Sequence, residues 1–123
     1  MTRTIRLFLL LEGATFVAAS LIHSGVFIHG YEHPAARAAE GVIAVVLLGG
    51  LALTGIAPTW TRRIGIIAQA FALLGTLVGI FTIINGIGPR TAPDLIYHIA
   101  IVAVLAWGLV VAARATGAAG QLV

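Results

Sequence analysis

Four histidines and three carboxylates in this sequence stand at or near the ends of long apolar segments. His23 lies near the end of the first segment and His98 near the start of the last. If the segments cross a membrane four times, both histidines come to the same face. The residues expected to meet at this rim are His23, His29, His33, His98, Glu32, Glu40 and Asp94, with Tyr97 beside His98. These residues form a candidate ligand site.

The residue types leave several ligands open. Imidazole and carboxylate together bind zinc, copper, nickel or iron without any thiolate. A b-type haem held by His23 and His98 is a second candidate, because axial histidines on facing helices hold haem in helix bundles. A quinone headgroup is the third, since it needs one or two hydrogen-bonding groups beside an apolar slot. The alternative to any ligand is that His23 and His98 hydrogen-bond to Ser20, Ser24 or a backbone carbonyl, while His29 and His33 are interfacial polar residues.

Apart from the residues at the rim, a pair of polar residues is expected deep in the membrane. Glu12 lies roughly 10 Å into the first helix, and Gln69 lies at a comparable depth in the third. A buried ionised carboxylate is costly, so Glu12 should be protonated or paired. Either it shares hydrogen bonds with Gln69 and fixes helix packing, or it forms a polar stripe with His23 that moves protons.

Composition predicts the elements that position these residues. Of 123 residues, 60% are hydrophobic and 9% are charged, which indicates that the bilayer is the main solvent. Four apolar segments, at about 5–27, 38–57, 64–86 and 95–113, are each long enough to cross roughly 30 Å of hydrocarbon. Short connections predict an all-α, up-and-down four-helix bundle in a single domain.

Arginine placement predicts the orientation of the bundle. Five arginines fall on the side of the two termini and the middle loop, and two fall on the other side: Arg3, Arg6, Arg62, Arg63 and Arg114 against Arg37 and Arg90. The positive-inside rule therefore places both termini in the cytoplasm. The same arginines are too dispersed for a nucleic-acid surface, so no nucleic-acid partner is expected. The sequence has no cysteine, which excludes disulfides and thiolate ligands.

Small residues form a stripe along the third helix: Ala68, Ala72, Gly75 and Gly79. Such a stripe lets helix backbones approach closely in lipid. It predicts either close packing within one chain or a homodimer face.

Two segments carry a family resemblance, 39–51 and 58–65. A glutamate, Glu40, opens the second helix, glycines follow about two turns later at Gly49 and Gly50, and an inner turn with Arg62 and Arg63 leads into the third helix. This pattern resembles the DoxX-like group of small four-helix bacterial membrane proteins. The resemblance implies a plasma-membrane protein associated with respiratory or oxidative-stress complexes, often as an accessory subunit, with Glu40 as the shared polar residue.

The predicted function is that of a non-catalytic accessory subunit of a bacterial plasma-membrane complex, of the respiratory kind. A haem-, metal- or quinone-binding redox module at the histidine rim is the alternative, and a small dimeric transporter is another. A hydrolase or transferase is not expected, because the sequence shows no recognisable set of nucleophile, general base and oxyanion-hole donors.

Overall fold

The computed structural model describes residues 1–116, and this part of the chain is helical. The helices are α1 (Thr2–His23), α2 (Pro34–Ile56), α3 (Thr61–Ile84) and α4 (Ala92–Arg114), with a short 3-10 helix at Pro58–Trp60. All four long helices are apolar enough to cross a membrane. The chain therefore has the elements of a multi-pass membrane protein, and the all-α prediction is confirmed.

The helices begin about one turn earlier than the apolar segments predicted. In α2 and α4 the side chain of the preceding residue caps the helix, whereas α1 and α3 begin without a side-chain cap. His33 caps α2, where its Nδ1 accepts a hydrogen bond from the Ala36 amide at 3.1 Å. Pro34 follows in the first turn, where its missing N–H costs nothing. The end of α1 also differs from the prediction. This helix ends at His23 instead of residue 27, because Gly25 turns the chain with a φ of 76°.

Consecutive helices pack against each other, and α1 also contacts α3 and α4. Leu9, Leu47 and Leu105 are completely buried between them. Large apolar side chains such as Val45, Ile99 and Trp107 are exposed on the outside. A helix bundle that is apolar on its outer surface as well as in its core is stable in hydrocarbon but not in water.

The small-residue stripe of α3 faces the interior of the chain. Ala68 and Ala72 are buried. A Cβ on Gly75 would lie 3.0 Å from Ile43 of α2, and one on Gly79 would lie 3.4 Å from the His98 ring of α4. The stripe therefore contributes to packing within the chain.

Two ends of the bundle can be distinguished. At the arginine end, Arg6 of α1 donates to the Thr54 hydroxyl of α2 at 3.0 Å, and Arg62 of α3 donates to the Ala113 carbonyl of α4 at 3.1 Å. At the histidine end, the last turn of α1 meets the first turns of α2 and α4. The candidate site lies at the histidine end.

Candidate functional site

His23 lies between two carboxylates from two other helices. Its Nδ1 is 2.7 Å from Glu40 Oε2, and its Nε2 is 3.0 Å from Asp94 Oδ1. All three residues are buried, with 4%, 5% and 7% of their surface exposed for His23, Glu40 and Asp94. This group, called the triad below, connects α1, α2 and α4. Because its members are buried, the loss of either contact would leave a polar group without a partner and lower the stability of the fold.

The secondary structure accounts for this meeting. His23 is the last residue of α1, and Glu40 lies in the second turn of α2. Asp94 belongs to the first turn of α4, where it forms a capping box with Thr91. Its Oδ2 accepts a hydrogen bond from the Thr91 hydroxyl, which leaves Oδ1 for His23. The cap therefore orients the carboxylate of the triad.

His98 has one ring nitrogen engaged within the chain. Its Nδ1 lies 2.7 Å from the backbone carbonyl of Asp94. A carbonyl can only accept, so Nδ1 carries a proton, and in the neutral ring Nε2 is an acceptor. Nε2 is the ring atom nearest to Gly79 of α3, and no hydrogen bond within the described residues occupies it.

A cavity of about 240 Å³ opens beside the triad between α2, α3 and α4. Buried Glu40 and half-buried His98 contribute polar groups to its wall, while Gly75 and Gly79 form part of its floor. Within residues 1–116, Glu40 Oε1 is buried and finds no hydrogen-bond partner. A buried carboxylate oxygen without a hydrogen-bond partner lowers the stability of the folded protein. A ligand in the cavity that donates a hydrogen bond to this oxygen would remove that cost.

A second cavity of about 250 Å³ lies on the other side of the triad. His23 and Asp94 line it, together with Tyr31 of the loop between α1 and α2 and Tyr97 of α4. Glu40 lines only the first of these two cavities. The triad therefore separates two cavities and contributes to both.

The geometry does not fit a haem or metal held by His23. Both of its ring nitrogens face carboxylates, so neither offers a lone pair to iron. In the described part of the chain, no group of three or more His, Asp or Glu side chains could hold a metal ion. Serine contacts do not hold His23 either: Ser20 donates to the Arg37 carbonyl, and Ser24 donates to the Leu21 carbonyl.

The loop residues divide into two groups. The His33 ring lies 6.4 Å from the His23 ring, and its Nε2 is 3.2 Å from the Ile87 carbonyl. His29 and Glu32 form a separate exposed pair, 3.3 Å apart. Hydrogen bonds from backbone amides, including that of Gly30 at 2.7 Å, lower the pKa of Glu32. Glu32 and His29 therefore do not join the triad.

Glu12 and Gln69 meet deep between α1 and α3. Gln69 Nε2 donates to both Glu12 carboxyl oxygens at 3.2 Å. Phe16, with 2% of its surface exposed, lies between Glu12 and His23 on the same helix. An apolar side chain at this point separates the pair from the triad, so the arrangement favours helix packing over a continuous polar stripe.

Thr91 is the contributor that our sequence reasoning missed. The order Thr91-Ala92-Pro93-Asp94 is a capping-box pattern, with threonine three residues before a carboxylate and a proline in the first turn. That signal places the start of α4 before Asp94 and predicts that Asp94 is held by the cap. The cavity itself had no comparable signal.

No protein-family model, curated protein or solved structure was found to match this chain.

Proposed function

We propose that this protein is a multi-pass plasma-membrane protein that binds a lipid-soluble quinone in the cavity lined by Glu40 and His98. The observation that carries the proposal is the buried Glu40 Oε1, which lacks a hydrogen-bond partner in the described chain and borders an apolar cavity. Ligand sites of this kind are apolar slots with a few polar groups that orient the ligand.

The polar wall indicates which oxidation state binds better. Glu40 Oε1, whose partner oxygen Oε2 faces His23, and the Nε2 of a neutral His98 are both hydrogen-bond acceptors. Two acceptors favour a headgroup with hydroxyl donors, which is the reduced form, a quinol. A quinone offers only carbonyl acceptors and would need a proton on Glu40 Oε1 or His98 Nε2.

The size and position of the cavity support a headgroup with an apolar tail. Its volume of about 240 Å³ suits a single substituted ring, and it is smaller than the roughly 300–1,000 Å³ of drug-sized sites. Exposed residues at its edge, among them Ala39 and Val78, lie on the outside of α2 and α3. A tail could therefore leave the cavity directly into lipid.

Equilibrium binding of a short-chain quinol and its quinone to the protein in lipid nanodiscs tests the proposal. We expect Glu40→Leu, which removes the acceptor Oε1, to weaken quinol binding by about two- to tenfold, since a hydrogen bond contributes about 0.5–1.5 kcal/mol. Gly79→Leu should abolish binding by filling the cavity, and it changes no residue of the triad. Gly55→Leu is the matched control, because a Cβ there meets nothing within 4 Å. Unchanged binding in both cavity variants would contradict the proposal.

The accessory-subunit role belongs to the same proposal. A quinol that is oxidised in this cavity must pass its electrons to an acceptor, which a partner protein would bring. The resemblance to DoxX-like proteins, through Glu40 and the turn with Arg62 and Arg63, supports such a partnership in a bacterial respiratory complex. Gentle purification from native membranes, with identification of co-purifying proteins, tests it.

The proposed orientation places both termini in the cytoplasm. The distribution of arginines supports this orientation. An up-and-down arrangement of the helices supports it as well, and the contacts of Arg6 with Thr54 and of Arg62 with Ala113 agree with that arrangement. The quinone cavity would then lie near the outer surface of the membrane.

A further inference from the structure

The hydrogen bonds of the triad define how many protons it holds. Each of the two contacts of His23 joins a ring nitrogen to a carboxylate oxygen, at 2.7 and 3.0 Å. Each contact needs one proton in the gap, whereas a neutral imidazole has only one N–H. One further proton must therefore be shared among Asp94, His23 and Glu40, which gives the triad a net charge of −1.

The two ends of the triad border different cavities. Glu40 lines the proposed quinone cavity, and Asp94 and His23 line the second cavity with Tyr31. Tyr31 belongs to the loop between α1 and α2, outside the helices. The second cavity therefore lies beside a loop at the histidine end, where water reaches the protein surface.

We propose that Asp94, His23 and Glu40 form a proton relay between the headgroup of the bound quinol and this second cavity. The inference rests on the proposed function, because the relay needs a ligand hydroxyl at Glu40. It adds a route by which a proton leaves or enters a headgroup that is enclosed by apolar residues.

The relay moves one proton from the ligand to the second cavity, and the imidazole is neutral before and after the transfer. It starts with a proton on Glu40 Oε2, one on His23 Nε2 and an ionised Asp94. The ligand O–H bond breaks and a bond to Glu40 Oε1 forms, while the proton of Oε2 passes to His23 Nδ1. The proton of Nε2 passes to Asp94 Oδ1 and leaves from there to water in the second cavity. The reverse shift delivers a proton to the headgroup and restores the starting state.

Other titratable groups surround the triad but do not replace a member of it. Tyr97 and His98 of α4 and His33 of the loop lie nearby, and Tyr97 lines the second cavity. His98 Nδ1 and both nitrogens of His33 are engaged with backbone groups. From α3, the polar side chains in the cavity wall are those of Thr76 and Thr82, which do not titrate.

The test uses a phenolic ligand whose ionisation is visible, a 4-nitrophenol with a decyl chain, bound to the full chain in nanodiscs. After an upward pH jump, stopped-flow absorbance measures how fast the bound phenol loses its proton. We expect Asp94→Asn to slow this step by at least about tenfold, since a positioned proton acceptor contributes about 10²–10⁴ in rate. Binding affinity should change little, because Asp94 does not line the ligand cavity.

Glu32→Gln is the matched control. It makes the same kind of change, carboxylate to amide, at an exposed residue that pairs with His29 and lines neither cavity, and the rate should stay at the wild-type value. If circular dichroism shows that Asp94→Asn does not fold, His23→Gln is used instead in the same measurement. This variant interrupts the relay at its centre.

Three outcomes separate the two proposals. A slowed step with retained binding supports the relay. Retained binding with a wild-type rate in the folded variant overturns the relay and leaves the ligand site intact. Absence of phenol and quinol binding by the wild-type protein overturns both the ligand site and the relay.

Discussion

At the residue scale, single side chains decide how polar groups are tolerated inside this apolar bundle. The triad satisfies both nitrogens of His23 with carboxylates, and Glu12 is satisfied by Gln69. Within residues 1–116, Gln69 Oε1 remains without a partner. Polar groups at such depths are stable only if their surroundings hold the partners in place.

Gly108 provides the space for the Glu12 and Gln69 pair. A Cβ at this position would overlap Gln69 Nε2 and lie 2.8 Å from Glu12 Oε1. We expect Gly108→Ala to lower the free energy of unfolding by about 1–3 kcal/mol through overpacking, even though alanine is the better helix former by about 1 kcal/mol. Thermal unfolding in detergent measures the change.

Gly55→Ala is the control for Gly108→Ala. It makes the same substitution in a helix where a Cβ meets nothing within 4 Å, so it should be neutral or slightly stabilising. Equal stability of the two variants would show that the polar pair does not depend on the gap at Gly108.

At the element scale, the helix starts at the histidine end bring the site together. His33 caps α2 and Thr91 caps α4, and each cap stands a few residues before a carboxylate of the triad. The caps set where the first turn begins, and thereby on which side of the helix Glu40 and Asp94 lie. Secondary structure and site geometry are therefore coupled in these two turns.

Thr91→Ala should destabilise the protein and loosen Asp94. Loss of a threonine N-cap costs about 1 kcal/mol, and Asp94 Oδ2 also loses its hydroxyl donor. Thr91→Ser keeps the hydroxyl and should retain most of the stability. Unfolding of the three proteins in the same detergent measures the difference, and equal loss in both variants would show that the hydroxyl is not the stabilising group.

At the scale of the whole molecule, the bundle has a lipid-compatible surface and two chemically different ends. Arginine contacts with backbone carbonyls and Thr54 occupy one end, and the triad with its two cavities occupies the other. In our proposal, a quinol would enter the cavity from lipid at the side of the bundle, and its protons would leave through the end with the loops. The proposed orientation determines which aqueous compartment receives them.

The absence of cysteine from the sequence makes this orientation directly measurable. His29→Cys places a thiol at a side chain that is 90% exposed in the loop between α1 and α2. A membrane-impermeant maleimide should label it in intact cells. Thr59→Cys, exposed in the 3-10 helix at the opposite end, should react only after the cells are lysed. The reverse pattern would place the termini outside.

The sequence alone determined the class of protein and the depth of its polar residues. Hydrocarbon requires long apolar helices with internally satisfied backbones, so composition sufficed to predict four of them and to place His23, Glu40 and Asp94 near the same end. Only the tertiary structure decided which atoms meet. Helix rotation and side-chain packing brought carboxylates to both nitrogens of His23, which removed it as a haem ligand.

The same packing left the gap over Gly75 and Gly79 that forms the cavity. Spacing in the sequence specifies which residues share a helix face but not how neighbouring helices rotate against each other, because that depends on the summed contacts of all four. The histidines that the sequence singled out therefore remain important, but the ligand atoms we propose are Glu40 Oε1 and His98 Nε2.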